Sequence, residues 1–234
     1  MKPCFSPVNY ANNSHLGLER LIFAATSGNR MTFRLHHGDL PDDFDAGESI
    51  AIDTETLGLN PVRDRLCLVQ MSRGDGSADL VKIAQGQTSA PNLVRMLADP
   101  NVLKLFHFAR FDIAILQKTF GVVTKPVYCT KIASRVVRTY TDRHGLKDLT
   151  RELLGVDLSK QQQSSDWGAP DLSDAQIAYA ASDVLHLHAL KAKLDTMLVR
   201  ENRMELAQDC FGFLPRRAEL DLLGWPEIDI FAHS

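Results

Sequence analysis

Cysteine is scarce in this 234-residue chain, and the four present, Cys4, Cys67, Cys129 and Cys210, are widely scattered. They form no CxxC pair and no metal-finger spacing, which speaks against a zinc finger and against a disulfide framework. Four plain thiols in a reducing compartment are expected. No apolar run approaches the ~18 residues of a membrane span. The longest such run near the N-terminus, LIFAA, is shorter than the about 7–15 residues of a signal-peptide core. A cytoplasmic protein with no membrane segment is therefore expected. Repeats and low-complexity tracts are also missing, apart from the short polar run KQQQSS. A basic excess is lacking as well: the net charge is −3, so the total does not announce a nucleic-acid partner.

What the chain does contain is an ordinary globular composition, 44% hydrophobic and 24% charged, at a length that buries a proper core. Residues 1–30 show weak periodicity and many Asn, Ser and Gly, and are read as a disordered N-terminal extension. From Met31 the pattern turns strand-rich. Strands are expected at MTFRLHH, 49–55, 65–72 and 78–83, joined by Gly-, Asp- and Asn-containing turns. A short helix at 91–98, a strand VLKLFHF and a helix ARFDIAILQKTF ended by Gly121 follow. After a short strand near PVYC the remainder is mainly helical. Ser173, with Gln176 three residues on, has the spacing of a capping box. The expected fold class is α/β, a mixed sheet with antiparallel strands first and parallel strands after, flanked by helices.

The stretch SIAIDTETLGL, residues 49–59, runs an apolar alternation into two acids. Asp53 and Glu55 are two residues apart on a strand, so they share one face. Two ionised carboxylates side by side repel unless a cation or a proton offsets them. Taken alone, a DxE is most simply a pair of acids at a strand's exposed end. Two further acids change that balance. Asp112 opens a helix after an apolar strand, and Asp183 lies mid-helix on the same face as Tyr179, four residues earlier. Four oxygen-donor acids brought together would suit two hard divalent cations, Mg²⁺ or Mn²⁺, the arrangement used for phosphodiester cleavage.

The local charge is more telling than the total. Between Lys131 and Arg151 lie six basic residues, Lys131, Arg135, Arg138, Arg143, Lys147 and Arg151, against only Asp142 and Asp148. Lys131, Arg135 and Arg138 fall on one helical face. That face is either a solvated surface or a footprint for phosphates. His144 lies within the same stretch and is a further phosphate candidate. His186 and His188 follow Asp183 and are read as structural or surface residues, and Trp167 as an anchor beneath a loop.

The motifs IDTETLGL, HFARFD, KQQQSSDW and YAASDVLHL resemble those of the ribonuclease D-like DEDD superfamily of 3′-5′ exonucleases. Asp53 and Glu55 match its first motif, Asp112 its second, and Tyr179 with Asp183 its third. The histidine subclass carries His five residues before the last Asp, where this chain has Ala178; the tyrosine subclass carries Tyr four before it, which is Tyr179. Longer stretches, RDRLCLVQMS and CTKIASRVVRTYTDRHGLKDL among them, are similar to the nanoRNase C branch.

The resemblance implies an RNase H-like exonuclease domain over residues 31–200 and a C-terminal helix and tail over 201–234 that contact other subunits of a homo-octamer. It implies two-metal hydrolysis of short RNA, down to dinucleotides, with Asp53, Glu55, Asp112, Tyr179 and Asp183 as the catalytic set. Leu59 would wedge between the last two bases. General 3′-end trimming of RNA or DNA, and a non-catalytic nucleic-acid-binding module, stay open at this point.

Overall fold

A computed structural model gives the fold and describes residues 18–26, 29–159 and 161–233. Seven strands form a single sheet: β1 (Leu18–Thr26), β2 (Asn29–His37), β3 (Ser49–Thr56), β4 (Leu66–Ser72), β5 (Ser77–Lys82), β6 (Leu103–Phe106) and β7 (Val127–Cys129). Their order across the sheet is β1-β2-β5-β4-β3-β6-β7. β3, β4 and β5 are antiparallel neighbours, whereas β6 and β7 run parallel to β3. The expected mixed sheet is thus present. β4 is buried along its whole length, as a strand covered on both faces must be.

The helices are α1 (Pro91–Ala98), α2 (Ala109–Phe120), α3 (Thr130–Val137), α4 (Leu146–Leu149), α5 (Asp174–Leu185), α6 (Leu187–Arg200) and α7 (Met204–Leu222), with one wider π turn at Thr150–Leu154. Local chemistry explains their ends. Pro91 opens α1, where its missing N–H costs nothing. Gly121 closes α2 in the left-handed conformation. Ser173 caps α5, its side chain accepting from the Gln176 amide while the Gln176 side chain reaches back. α5 lies across β2 to β5, and α2 packs on α7. Arg110 of α2 locks the latter contact by donating to buried Asp221 of α7 at 2.5 and 2.7 Å.

The expected disordered extension needs correction over part of its length. Leu18–Thr26 form β1, paired antiparallel with β2, and β2 itself begins at Asn29 rather than Met31. Arg20 donates to the Leu172 carbonyl at 2.9 Å and pairs with Asp174 at the start of α5. The strand gains its order from β2 and α5, partners remote in sequence, and its own periodicity does not reveal them. Residues 1–17 lie outside the described residues. β2 in turn runs parallel to β5, a second long-range pairing.

Candidate active site

β3 sits in the interior of the sheet, between antiparallel β4 and parallel β6, and delivers Asp53 and Glu55 near its C-terminal end. α5 crosses the same region and presents Asp183. Carboxylate oxygens of Asp53, Glu55 and Asp183 all lie within 4.8 Å of one another. Asp112, in the first turn of α2, is buried beside them; its Oδ1 accepts a hydrogen bond from the Thr54 hydroxyl at 2.6 Å. Its charge reaches Asp53 and Glu55. The four predicted acids therefore converge, three as one cluster and the fourth turned onto the residue between the first two.

Burial and mutual repulsion act together on this group. Burial, then the charges of Asp112, Asp183 and Glu55, push the Asp53 carboxyl well above the usual range. Glu55 is raised to about 9 by burial and by Asp183 and Asp112. Asp112 and Asp183 are each raised to about 7, burial outweighing the hydrogen bonds from Thr54 and Tyr179 respectively. A cation between these oxygens would reverse the sign of the effect. The clustered donors are all carboxylate oxygens, with no thiol or imidazole among them, so the residues present fit Mg²⁺ or Mn²⁺.

Tyr179 hydrogen-bonds Asp183 one turn along α5. Burial first, then the charges of Asp183, Glu55 and Asp53, drive its hydroxyl far above the usual tyrosine value. The ring sits 6.1 Å from that of Trp167, which is buried as the expected anchor.

A consequence for stability follows from the raised carboxyl values. A carboxyl whose folded pKa exceeds its unfolded one contributes most below the unfolded value, and that contribution is lost as pH rises through the folded value. The metal-free protein should therefore lose melting temperature between about pH 4, the unfolded carboxylate range, and pH 9. Added Mg²⁺ should restore it, with the largest gain at the alkaline end. Differential scanning calorimetry with and without Mg²⁺ checks this; a gain independent of pH would contradict it.

The other predicted site residues divide. Leu59 is 89% exposed in the loop after β3, open to a substrate. Lys131 is half-buried on α3 and Arg135 is exposed there. Arg138 must be corrected: it is 0% exposed and faces inward. Its guanidinium donates to Ser134 Oγ at 3.0 Å and the Arg143 carbonyl at 2.9 Å, and pairs with Glu152. A buried guanidinium needs such partners for its fork of donors, and facing inward it is out of reach of a phosphate at the surface. His144 is half-buried, with Nδ1 2.8 Å from Ser134 Oγ. His188 Nε2 lies 3.3 Å from the Ser49 carbonyl and His186 breaks the helix between α5 and α6, both in structural roles.

Two supporting residues escaped the sequence reading. Gln70 of β4, opposite Asp53 in the register, donates to Asp53 Oδ2 at 2.6 Å. Its signal was available as an amide inside the otherwise apolar LCLVQMS. Thr54 was passed over because it lies between two acids, yet it is the residue that holds Asp112.

A cluster of half-buried carboxylates at the C-terminal end of an interior strand of a mixed sheet, with a tyrosine beside the last of them, defines a divalent-metal phosphodiester site. The chain belongs to the 3′-5′ exonuclease family, whose sequence pattern matches residues 39–199. It is 38% identical to ribonuclease D of Gluconacetobacter diazotrophicus over 156 residues, 67% of this chain and 39% of that protein. The chain thus spans 39% of the length of that ribonuclease D. Among solved structures, Brucella melitensis NrnC with bound Mg²⁺ is 59% identical, with a TM-score of 0.83, covering 87% of this chain and 100% of that one. Brucella melitensis NrnC bound to pGG is 60% identical over the same shares, with a TM-score of 0.84.

Proposed function

We propose that the protein is a cytoplasmic, metal-dependent 3′-5′ exoribonuclease that hydrolyses short oligoribonucleotides, including dinucleotides, to nucleoside 5′-monophosphates. The observation that carries this reading is the convergence of Asp53, Glu55 and Asp183 within 4.8 Å, beside Asp112. The relatives support the choice of substrate, since NrnC has been solved both with Mg²⁺ and with pGG.

Asp53, Glu55, Asp112 and Asp183 would hold two divalent ions, Mg²⁺ or Mn²⁺, which supply water activation and charge stabilisation at the phosphodiester when bound. The chain's own residues arrange the rest. Gln70 fixes one oxygen of Asp53, and Thr54 fixes one of Asp112. The Tyr179 hydroxyl, half-buried beside Asp183 and protonated at neutral pH, orients the attacking water. Leu59, standing free in its loop, parts the terminal bases, while Lys131, Arg135 and His144 meet the backbone.

The C-terminal region supports assembly into a homo-oligomer, an octamer by resemblance. Leu206, Leu223, Ile228, Ile230 and Phe231 are exposed there, with Phe231 78% open. Exposed apolar groups of this density are typical of subunit contacts. Single-turnover cleavage of 5′-labelled RNAs in Mg²⁺ tests the function. Dinucleotides should be cut faster than ten-mers, and light scattering of the same sample should exceed the 26.0 kDa chain mass. Equal rates on both lengths would make general 3′-end trimming of RNA the better description, and faster cutting of matched DNA would shift it to DNA.

A further inference from the structure

Phe108 is built in a way that its packing does not explain. It caps the N-terminus of α2 with φ 73° and ψ 42°, in the left-handed region. Among the described non-glycine residues, only Phe108 and Asn202 have positive φ. Asparagine tolerates that conformation; a bulky aromatic there is a true outlier. Such strain persists where surrounding structure imposes it, and it gathers at functional sites. Burial does not repay it here, because the residue is 45% exposed. Nor does another aromatic ring stack on it among the described residues.

What does meet the ring is a cation. Lys131 Nζ lies over it, 4.3 Å from the centroid. No carboxylate pairs with that ammonium among the described residues. Phe108 also stands at the N-terminus of the helix whose first turn carries Asp112.

We propose that Phe108 and Lys131 together hold one nucleotide of the substrate, the base stacked on the open part of the Phe108 ring and the adjoining phosphate against the Lys131 ammonium. The inference rests on the exonuclease reading and assigns a specificity-determining residue to it. Stacking accepts any base, because every base has a π face, so the contact selects for nucleic acid without selecting sequence. A left-handed backbone aims the ring outward, where a regular cap would let it turn onto the protein. Lys131 of α3 covers one side of the ring and leaves the residue 45% exposed.

The test is a set of Phe108 variants in the full chain, measured in two ways. With pGG in Mg²⁺, Phe108→Ala should raise KM about 10-fold or more with kcat little changed, the pattern of lost binding shared by ground and transition states. Phe108→Trp should stay within about two-fold of wild type. Phe108→Asn should raise KM like Ala while raising the melting temperature, because asparagine relieves the backbone. A dinucleotide lacking one base should bind wild type and Phe108→Ala equally, for whichever position Phe108 holds. Fluorescence anisotropy of labelled pGG with Ca²⁺ in place of Mg²⁺ reads binding apart from cleavage. Binding that depends on Phe108 without any turnover would remove the exonuclease reading and keep this one. KM and affinity unchanged in the Ala and Asn variants, or a loss equally large for both abasic forms, would overturn the proposal.

Discussion

Replacing Asp183 with Asn is expected to abolish cleavage while leaving the metal-free protein more stable than wild type. Asp183 is one of the three carboxylates gathered within 4.8 Å, and it raises both Asp53 and Glu55 by its charge. Removing that charge relieves repulsion in the empty cluster and takes away a donor that a cation needs. Relief worth about 1 kcal/mol would lift the melting temperature by about 2–4 °C in a chain of this size. Cleavage of pGG should fall by about 10³-fold or more, in line with the loss of a group that stabilises charge in the transition state. The stabilisation by Mg²⁺ should shrink with it. Calorimetry and turnover on the same preparation settle the matter, and a variant that is less stable but still active would show that Asp183 serves the fold. Asp112→Asn should share the loss of activity, since an amide oxygen still accepts from the Thr54 hydroxyl and preserves the local structure.

Tyr179→Phe should lower kcat by about 10²–10⁴-fold with little change in KM. The ring stays against Trp167, so the packing of α5 survives. Only the hydroxyl is lost, and with it one hydrogen bond to Asp183, worth about 1 kcal/mol at most. With an unperturbed phenol near 10, the wild-type rate should show no tyrosine limb below about pH 9, and the variant should keep the same profile shape at a lower level. A new dependence on pH in the variant, or a rate within about two-fold of wild type, would make Tyr179 a packing residue.

Local chemistry explains which parts of this molecule could be read before its structure. The α2 helix ended where Gly121 stops it and α5 began at the Ser173–Gln176 box, because caps are written within four residues of sequence. The DxE on β3 and the Tyr179–Asp183 spacing were legible for the same reason: strand and helix periods place those side chains without knowledge of the rest. Long-range partners were not legible. β1 owes its order to β2, and β2 its place to β5, pairings that no local period records. Arg138 was assigned to the surface by its helical phase, yet Ser134, the Arg143 carbonyl and Glu152 draw it inside. Phe108 was equally silent, since its backbone conformation cannot be inferred from HFARFD. Asp53 and Glu55 were found because paired acids are scarce in strands, and Asp112 and Asp183 because they stand beside apolar elements; the supports were missed because Thr54 and Gln70 are unremarkable alone.

The inward turn of Arg138 has a thermodynamic consequence for RNA binding. A cation sequestered by protein partners releases no condensed counterions from a nucleic acid, so it adds nothing to the salt dependence of affinity. Of the three aligned cations on this stretch, Lys131 and Arg135 remain to displace ions from a single strand. With a slope of about −0.7 per phosphate contact, the pair would give a log–log slope near −1.4. A dinucleotide that reaches only Lys131 should show about half that slope, near −0.7. Shorter strands should therefore lose less affinity than longer ones as monovalent salt is raised.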